Sequence, residues 1–161
     1  MIGPRYVSGC LPPLLERLID LEPLEQSGRP DANLLRGAGL RESVARALGR
    51  LLDTRRHVPL AEAAKGGELT VLDYGIPDFG NRSPTDSEAR FLFGLAIKHA
   101  IVAFEPRLRN VDVEVVTAAG NGRELEVIIT GSISDGRIAE QVTFRSGNDG
   151  KDIKTEPHAV E

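Results

Sequence analysis

A glutamate and an arginine flank a proline in Phe104-Glu105-Pro106-Arg107, and Leu108-Arg109-Asn110-Val111 follows. A carboxylate so placed offers two chemistries. It can be the proton donor of glycoside hydrolysis, which needs a carboxylic acid of raised pKa beside a second, ionised carboxylate. It can instead be half of a rigid charged clasp with the guanidinium. Raising the pKa takes an apolar pocket, whereas in an extended conformation Arg107 falls on the same side as Glu105. That neighbour favours the ionised form, and an ionised carboxylate is a poor proton donor. The residues alone leave two uses of the clasp open: satisfying backbone groups at a helix exit, or forming a desolvated charge pair across an interface.

Other chemistry has little material. His57, His99 and His158 are scattered, and no His-x₃-His or Cys-x₂-Cys spacing occurs, so no metal site is expected. Cys10 is the only cysteine, which excludes an intramolecular disulfide. No Gly-x-Ser-x-Gly elbow presents a nucleophile and no Gly-rich phosphate loop joins a strand to a helix. No cofactor is expected. The formal net charge of −4 provides no global field for nucleic acid or an anionic membrane. Arg55-Arg56-His57 follows a helix and suits its C-terminal dipole better than a phosphate. No run reaches the roughly 18 apolar residues that cross a bilayer. A cytoplasmic protein is expected.

The elements that must position Glu105 are legible from periodicity. Pro12-Pro13 followed by Leu14, Leu15, Leu18, Ile19 and Leu21 suggests a short amphipathic helix, and Glu22 to Gly39 reads as a connector. Leu40, Val44, Leu48 and Leu51 repeat at helical spacing opposite Arg41, Glu42, Arg46, Arg50 and Asp53, predicting a helix over about 41–54. Residues 55–83 are too punctuated by glycine and proline for a long element. Within them, Tyr74 and Phe79 bracket a turn and would pin the loop to the core. Thr85-Asp86-Ser87-Glu88 matches a capping box. The helix it opens is apolar on nearly every side, with Phe91, Leu92, Phe93, Leu95, Ile97, Ile101, Val102 and Phe104, which predicts a buried central helix. His99 in its middle fits a satisfied or partly exposed core residue better than a ligand. Pro106 disfavours helical dihedrals at Glu105 and ends the helix near Phe104.

Beyond it the period falls to two. Val111, Val113 and Val115, then Leu125, Val127 and Ile129, then Val142 and Phe144 alternate with polar residues, giving three half-buried strands. Asn121-Gly122 and Asp135-Gly136 mark the hairpins. Face parity asks for an odd loop in the first, read as three residues with Gly122 as the bulge residue. It asks for an even loop in the second, read as a two-residue turn that pairs Ile129 with Val142 and Val127 with Phe144. Val116 and Ile128 break the polar pattern of the outer face and mark where another strand or chain packs, or where the N-terminal segment covers the sheet. The expected fold is a small single α+β domain: a three- or four-stranded antiparallel meander on a buried central helix, with two further N-terminal helices. The domain would span 11–146, between a flexible N-terminus (1–10) and a polar, mobile C-terminal tail (147–161).

Three stretches carry a resemblance. Leu51-Leu52-Asp53-Thr54-Arg55, Leu72-Asp73-Tyr74-Gly75-Ile76-Pro77-Asp78-Phe79, and Phe104-Glu105-Pro106-Arg107-Leu108 with Val111-Asp112-Val113 resemble the TssE family. These are type VI secretion baseplate subunits related to the lysozyme-like wedge (sheath initiator) protein of contractile phage tails. The resemblance runs from about Leu14 to Arg145; it departs from the family's pattern at Asp53, where an asparagine is expected, and over Ala61 to Gly67. It implies a non-enzymatic assembly role. Glu105, Pro106 and Arg107 would contact the wedge core formed by TssF and TssG, and the sheet would template the first TssB–TssC sheath ring. TssK and the spike hub would be further neighbours, at a baseplate docked on the inner membrane. Tyr74, Gly75, Pro77, Asp78 and Phe79 would form the motif loop. Strand addition needs an open sheet edge, for which Val116, Ile128 and Thr143 are the candidates. The alternatives are a lysozyme-like peptidoglycan hydrolase using Glu105, and a general protein-binding module.

Overall fold

The computed structural model describes residues 9–14, 16, 34–80, 82–118, 124–136, 139–147 and 153–157. Most of the expected first helix (of which Leu14 and Glu16 are helical), the Asn121-Gly122 turn and His158 lie outside the described residues. The elements run α1 (Gly37–Asp53), β1 (Arg55–Arg56), α2 (Leu60–Ala63), a 3₁₀ turn (Val71–Asp73), β2 (Ile76–Pro77), α3 (Ser87–Phe104), β3 (Leu108–Thr117), β4 (Leu125–Ser134), β5 (Ala139–Gly147) and β6 (Lys154–Pro157). This is the α+β meander on helices that the periodicity predicts.

The first long helix begins four residues before its predicted start. Gly37, at φ 47°, turns the chain out of the extended Arg36 without a side-chain cap, a conformation cheap only for glycine. Leu40, Val44, Leu48, Leu51 and Leu52 form its buried stripe. At its C-terminus the Arg55 guanidinium donates to the Leu52 carbonyl, as a cation there should.

The central helix starts later than expected. Asp86 is its N-cap, accepting from the Ala89 amide at 3.0 Å, while the Thr85 hydroxyl is engaged with Ser83 Oγ. The predicted Thr85–Glu88 capping box is therefore replaced by a simple aspartate cap, a residue type that ranks above threonine in this position. The helix ends at Phe104 as proline chemistry requires, and the Glu105 amide makes its last bond to the Ile101 carbonyl. It is not buried all round. Phe93, Ala96, Ile97, Ala100 and Ile101 face the core, but Phe91 and Val102 are 66% and 59% exposed, because β3, α1 and α2 pack on one side only. His99 is partly exposed, with its ring against Gly66.

The sheet is an antiparallel meander in the order β3-β4-β5-β6. Val113 opposes Ile129 and Val115 opposes Val127, the odd parity expected of the first hairpin. In the second hairpin Ile129 opposes Phe144 and Val127 opposes Ser146, with Ser134 opposite Ala139. The predicted two-residue turn is thus wrong by two positions: the loop has four residues, and parity is satisfied equally by both lengths. The longer β4 carries Ile133 into the core. The polar C-terminus, expected to lie outside the domain, supplies the fourth strand, pairing Val142 to Arg145 with Pro157 to Lys154.

β3 also carries a bulge. Leu108 opposes Ile133 and Arg109 opposes Ser132, but Asp112 opposes Thr130, so β3 holds one extra residue. Asn110 adopts φ 51° there, a conformation asparagine tolerates. Across from it sits Gly131, where a Cβ would lie 2.9 Å from Leu108 Cδ1 and 3.0 Å from the Arg109 carbonyl. The bulge resets the face: even-numbered Leu108 and odd-numbered Val111 and Val115 all point into the core.

Candidate functional site

The stretch Glu105-Pro106-Arg107 bridges the end of α3 and the start of β3. Arg107 Nε donates to Glu105 Oε1 at 2.7 Å and Nη2 to Oε2 at 2.6 Å, a bidentate fork. The Arg107 amide also donates to Oε1 at 3.2 Å. Glu105 is 4% exposed, and Pro106 between them is exposed. Burial, the largest single influence, pulls the Arg107 pKa down; the hydrogen bond and charge of Glu105, with Cys10 and Glu16, more than offset it and raise it.

The pair extends into a network that sequence reasoning missed. Arg107 Nη1 donates to Ser43 Oγ at 2.8 Å, and Ser43 Oγ donates to Glu16 Oε2 at 2.7 Å. Glu16 in turn accepts from Arg46 and Arg50 at 3.3 and 3.5 Å. Burial raises the Glu16 pKa, but the Ser43 hydrogen bond and the two arginines outweigh it, and the carboxyl ends below its ordinary value. The signal for Ser43 was present: it is a small polar residue on the apolar stripe of α1, fully buried beside Leu40 and Val44, and such a group needs an internal partner.

The motif loop locks onto the same corner. β1 and β2 pair in parallel, Arg55 with Ile76 and Arg56 with Pro77. Gly75 at φ 115° brings the chain so close to α1 that a Cβ would lie 2.7 Å from the Thr54 carbonyl oxygen, where backbone cannot yield. Ile76, Pro77 and Phe79 are buried, Phe79 against Phe93 at a ring distance of 5.0 Å. Asp78 stays exposed and accepts from the Gly80 amide. Tyr74 stacks edge-on against Phe104 at 5.2 Å. Its pKa is raised by burial and by the Glu105 charge, against the pull of Arg50. Asp73 holds the preceding turn, accepting from Thr70 and pairing with Arg56 at 3.1 Å. The three sequence stretches therefore meet at one place.

Beside the pair lies an open cleft of about 660 Å³, with Gly9 to Leu11 and Pro13 on one side, Leu34, and Phe104 to Arg107 as its floor. It is mostly apolar and opens beside exposed Leu11 and Leu14. No group of three or more His, Cys, Asp or Glu that could hold a metal ion occurs among the described residues, and no helix among them is long and apolar enough to cross a membrane.

The three candidate sheet-edge residues are not together at an edge. Val116 and Ile128 are half-buried diagonal neighbours on the outer face, opposite Glu126 and Glu114. Thr143 is buried and paired on both sides, with Thr130 in β4 and Glu156 in β6. Its strand was expected to end the sheet; β6 covers it. The opposite border is β3, where α3 crosses so closely that a Cβ on Gly94 would sit 3.3 Å from the Val113 carbonyl.

No curated protein and no solved structure matches the sequence. The family model described as baseplate wedge protein gp25 matches residues 38–137. That span is more than half of the chain and takes in α1, the parallel β1–β2 pair, the Glu105–Arg107 clasp and β4, so the region matched is the region the three stretches build. The chain belongs to the family of the baseplate wedge protein gp25, as a TssE-like member.

Proposed function

We propose that this protein is a non-enzymatic subunit of a type VI secretion baseplate, joining the TssF–TssG wedge core to the first TssB–TssC sheath ring. Family membership supports the coarser statement, a structural role in a contractile-tail baseplate with other baseplate subunits as neighbours. TssK and the spike hub are the remaining proposed neighbours, with the baseplate docked at the cytoplasmic face of the inner membrane.

The observation that carries the wedge contact is the internal saturation of the Glu105–Arg107 pair, with Pro106 exposed between the two charges. Both carboxylate oxygens already accept from Arg107, so the pair offers a partner no free charge. Its part is to hold Pro106 and the cleft floor in a fixed shape, the preorganisation that lowers the cost of docking. The same arrangement argues against the peptidoglycan hydrolase reading, because Glu105 is buried with both oxygens turned to the Arg107 guanidinium.

Pro106→Arg tests the contact, placing bulk and charge on the exposed apex while leaving the pair intact. The expected outcome is loss of co-purification with TssF–TssG by a variant that still unfolds in a single cooperative transition. Retained co-purification would overturn the assignment of the wedge contact to this corner.

A further inference from the structure

The 3₁₀ turn Val71–Asp73 contains no buried residue, yet it is firmly held. The Asp73 carboxylate accepts from both the amide and the hydroxyl of Thr70 at 2.9 Å, and the Thr70 hydroxyl oxygen accepts from the Leu72 amide at 3.3 Å. Arg56 pairs with the other Asp73 oxygen at 3.1 Å and ties the turn to β1. What these bonds fix in place is two aliphatic side chains in water: Val71 is 85% and Leu72 92% exposed. A single exposed leucine is ordinary. Two adjacent aliphatics, held rigidly on a turn that adds nothing to the core, mark a contact surface. The turn is continuous with the clasp corner, because Tyr74 follows it and stacks against Phe104, which lines the cleft with Pro106. The charges flanking the pair have one sign. Glu68 is exposed, and from Gly66 to Gly80 the sequence has no lysine or arginine. Arg56, the cation that reaches the turn, is engaged by Asp73.

We infer that Val71 and Leu72 are the anchor of a protein interface, inserted together into an apolar pocket with a basic rim on a neighbouring baseplate subunit. A preformed turn loses little conformational freedom on docking, and both side chains leave water completely, the pattern of an interface hot spot. Acidic flanks disfavour an anionic lipid surface and complement a basic rim. The chemistry of the pocket follows from the turn itself. That the pocket belongs to the TssF–TssG core rests on the wedge contact proposed above, with which Tyr74 makes the turn continuous.

Binding of the full chain to purified TssF–TssG tests the anchor. The double variant Val71→Ser/Leu72→Ser should still unfold in a single cooperative transition and bind about a hundredfold more weakly than the wild type. Glu68→Lys should slow association about tenfold at low salt, an effect that fades at high salt. Undiminished affinity of the double variant, beside loss of binding in Pro106→Arg, would overturn the anchor and leave the wedge contact standing. An unchanged association rate in Glu68→Lys would overturn the basic rim. If the wild type itself does not bind TssF–TssG, the wedge reading fails, and a photo-cross-linking side chain in place of Leu72 in assembled baseplates decides the anchor. An adduct with another baseplate subunit supports it. An adduct with lipid or with a second copy of this protein, or no adduct, overturns it.

Discussion

Glu105 and Arg107 could be recognised as neighbours from sequence because only Pro106 separates them and it removes most of the freedom in their spacing. Their other partners could not. Ser43 lies 64 positions away, and nothing local to either residue announces the meeting. The consequence is energetic: the clasp is an internal pillar. Removing one member strands the other away from water, so Arg107→Ala should cost about 3–5 kcal/mol in urea unfolding. Arg107→Glu should be worse, setting two carboxylates against each other, and its loss of partner binding would then report unfolding. Glu16 gives a pH prediction. Its carboxyl is depressed below the ordinary 4.5 when folded, so its contribution is present above that value and lost as pH falls through the lower folded one. Thermal melts of Glu16→Gln and wild type should differ at neutral pH and converge at acid pH; a constant gap would contradict the network.

Elements are legible where one period dominates and ambiguous where two solutions share it. The 3.6-residue stripe of α1 and the alternation of β3 to β5 placed the long elements, because burial of one face is the strongest demand on a chain. Parity could not separate a two-residue from a four-residue turn after Ser134. The cap of α3 was misplaced by one residue for a similar reason, since Thr85 and Asp86 are both good caps. Asp86→Ala should therefore cost about 1 kcal/mol in denaturant unfolding and Thr85→Ala only a few tenths; the reverse order would restore the capping box. Gly75→Ala should cost about 1–3 kcal/mol, because the left-handed backbone and the Thr54 carbonyl both oppose a Cβ, and it should be read by the same unfolding curves. The parallel β1–β2 pair, two residues each, leaves no periodic trace at all.

At the scale of the whole molecule the assembly role was legible only through the order of three short stretches, and the fold explains why they travel together: all three build one corner. The covering of Thr143 by β6 was not legible, because the sequence after Ser146 has no period that announces a strand. Thr143→Pro should consequently weaken the folded protein itself, since either direction of its missing amide breaks a ladder. The family's lysozyme-like label makes a further assay informative. Incubation with peptidoglycan should release no reducing ends; release that disappears in Glu105→Gln would reverse the structural reading. The bulge at Asn110 has one last consequence. A single inserted residue decides which way up the sheet meets everything before it in the chain. Keeping Asn110 but straightening the strand would turn Leu108 outward and invert the clasp relative to the sheet, whereas deleting Asn110 would leave Leu108 and Val111 in regular alternation, both facing the core. The bulge is thus a phase setter: it lets one inserted residue pass without turning over the strand that joins the clasp to the sheet.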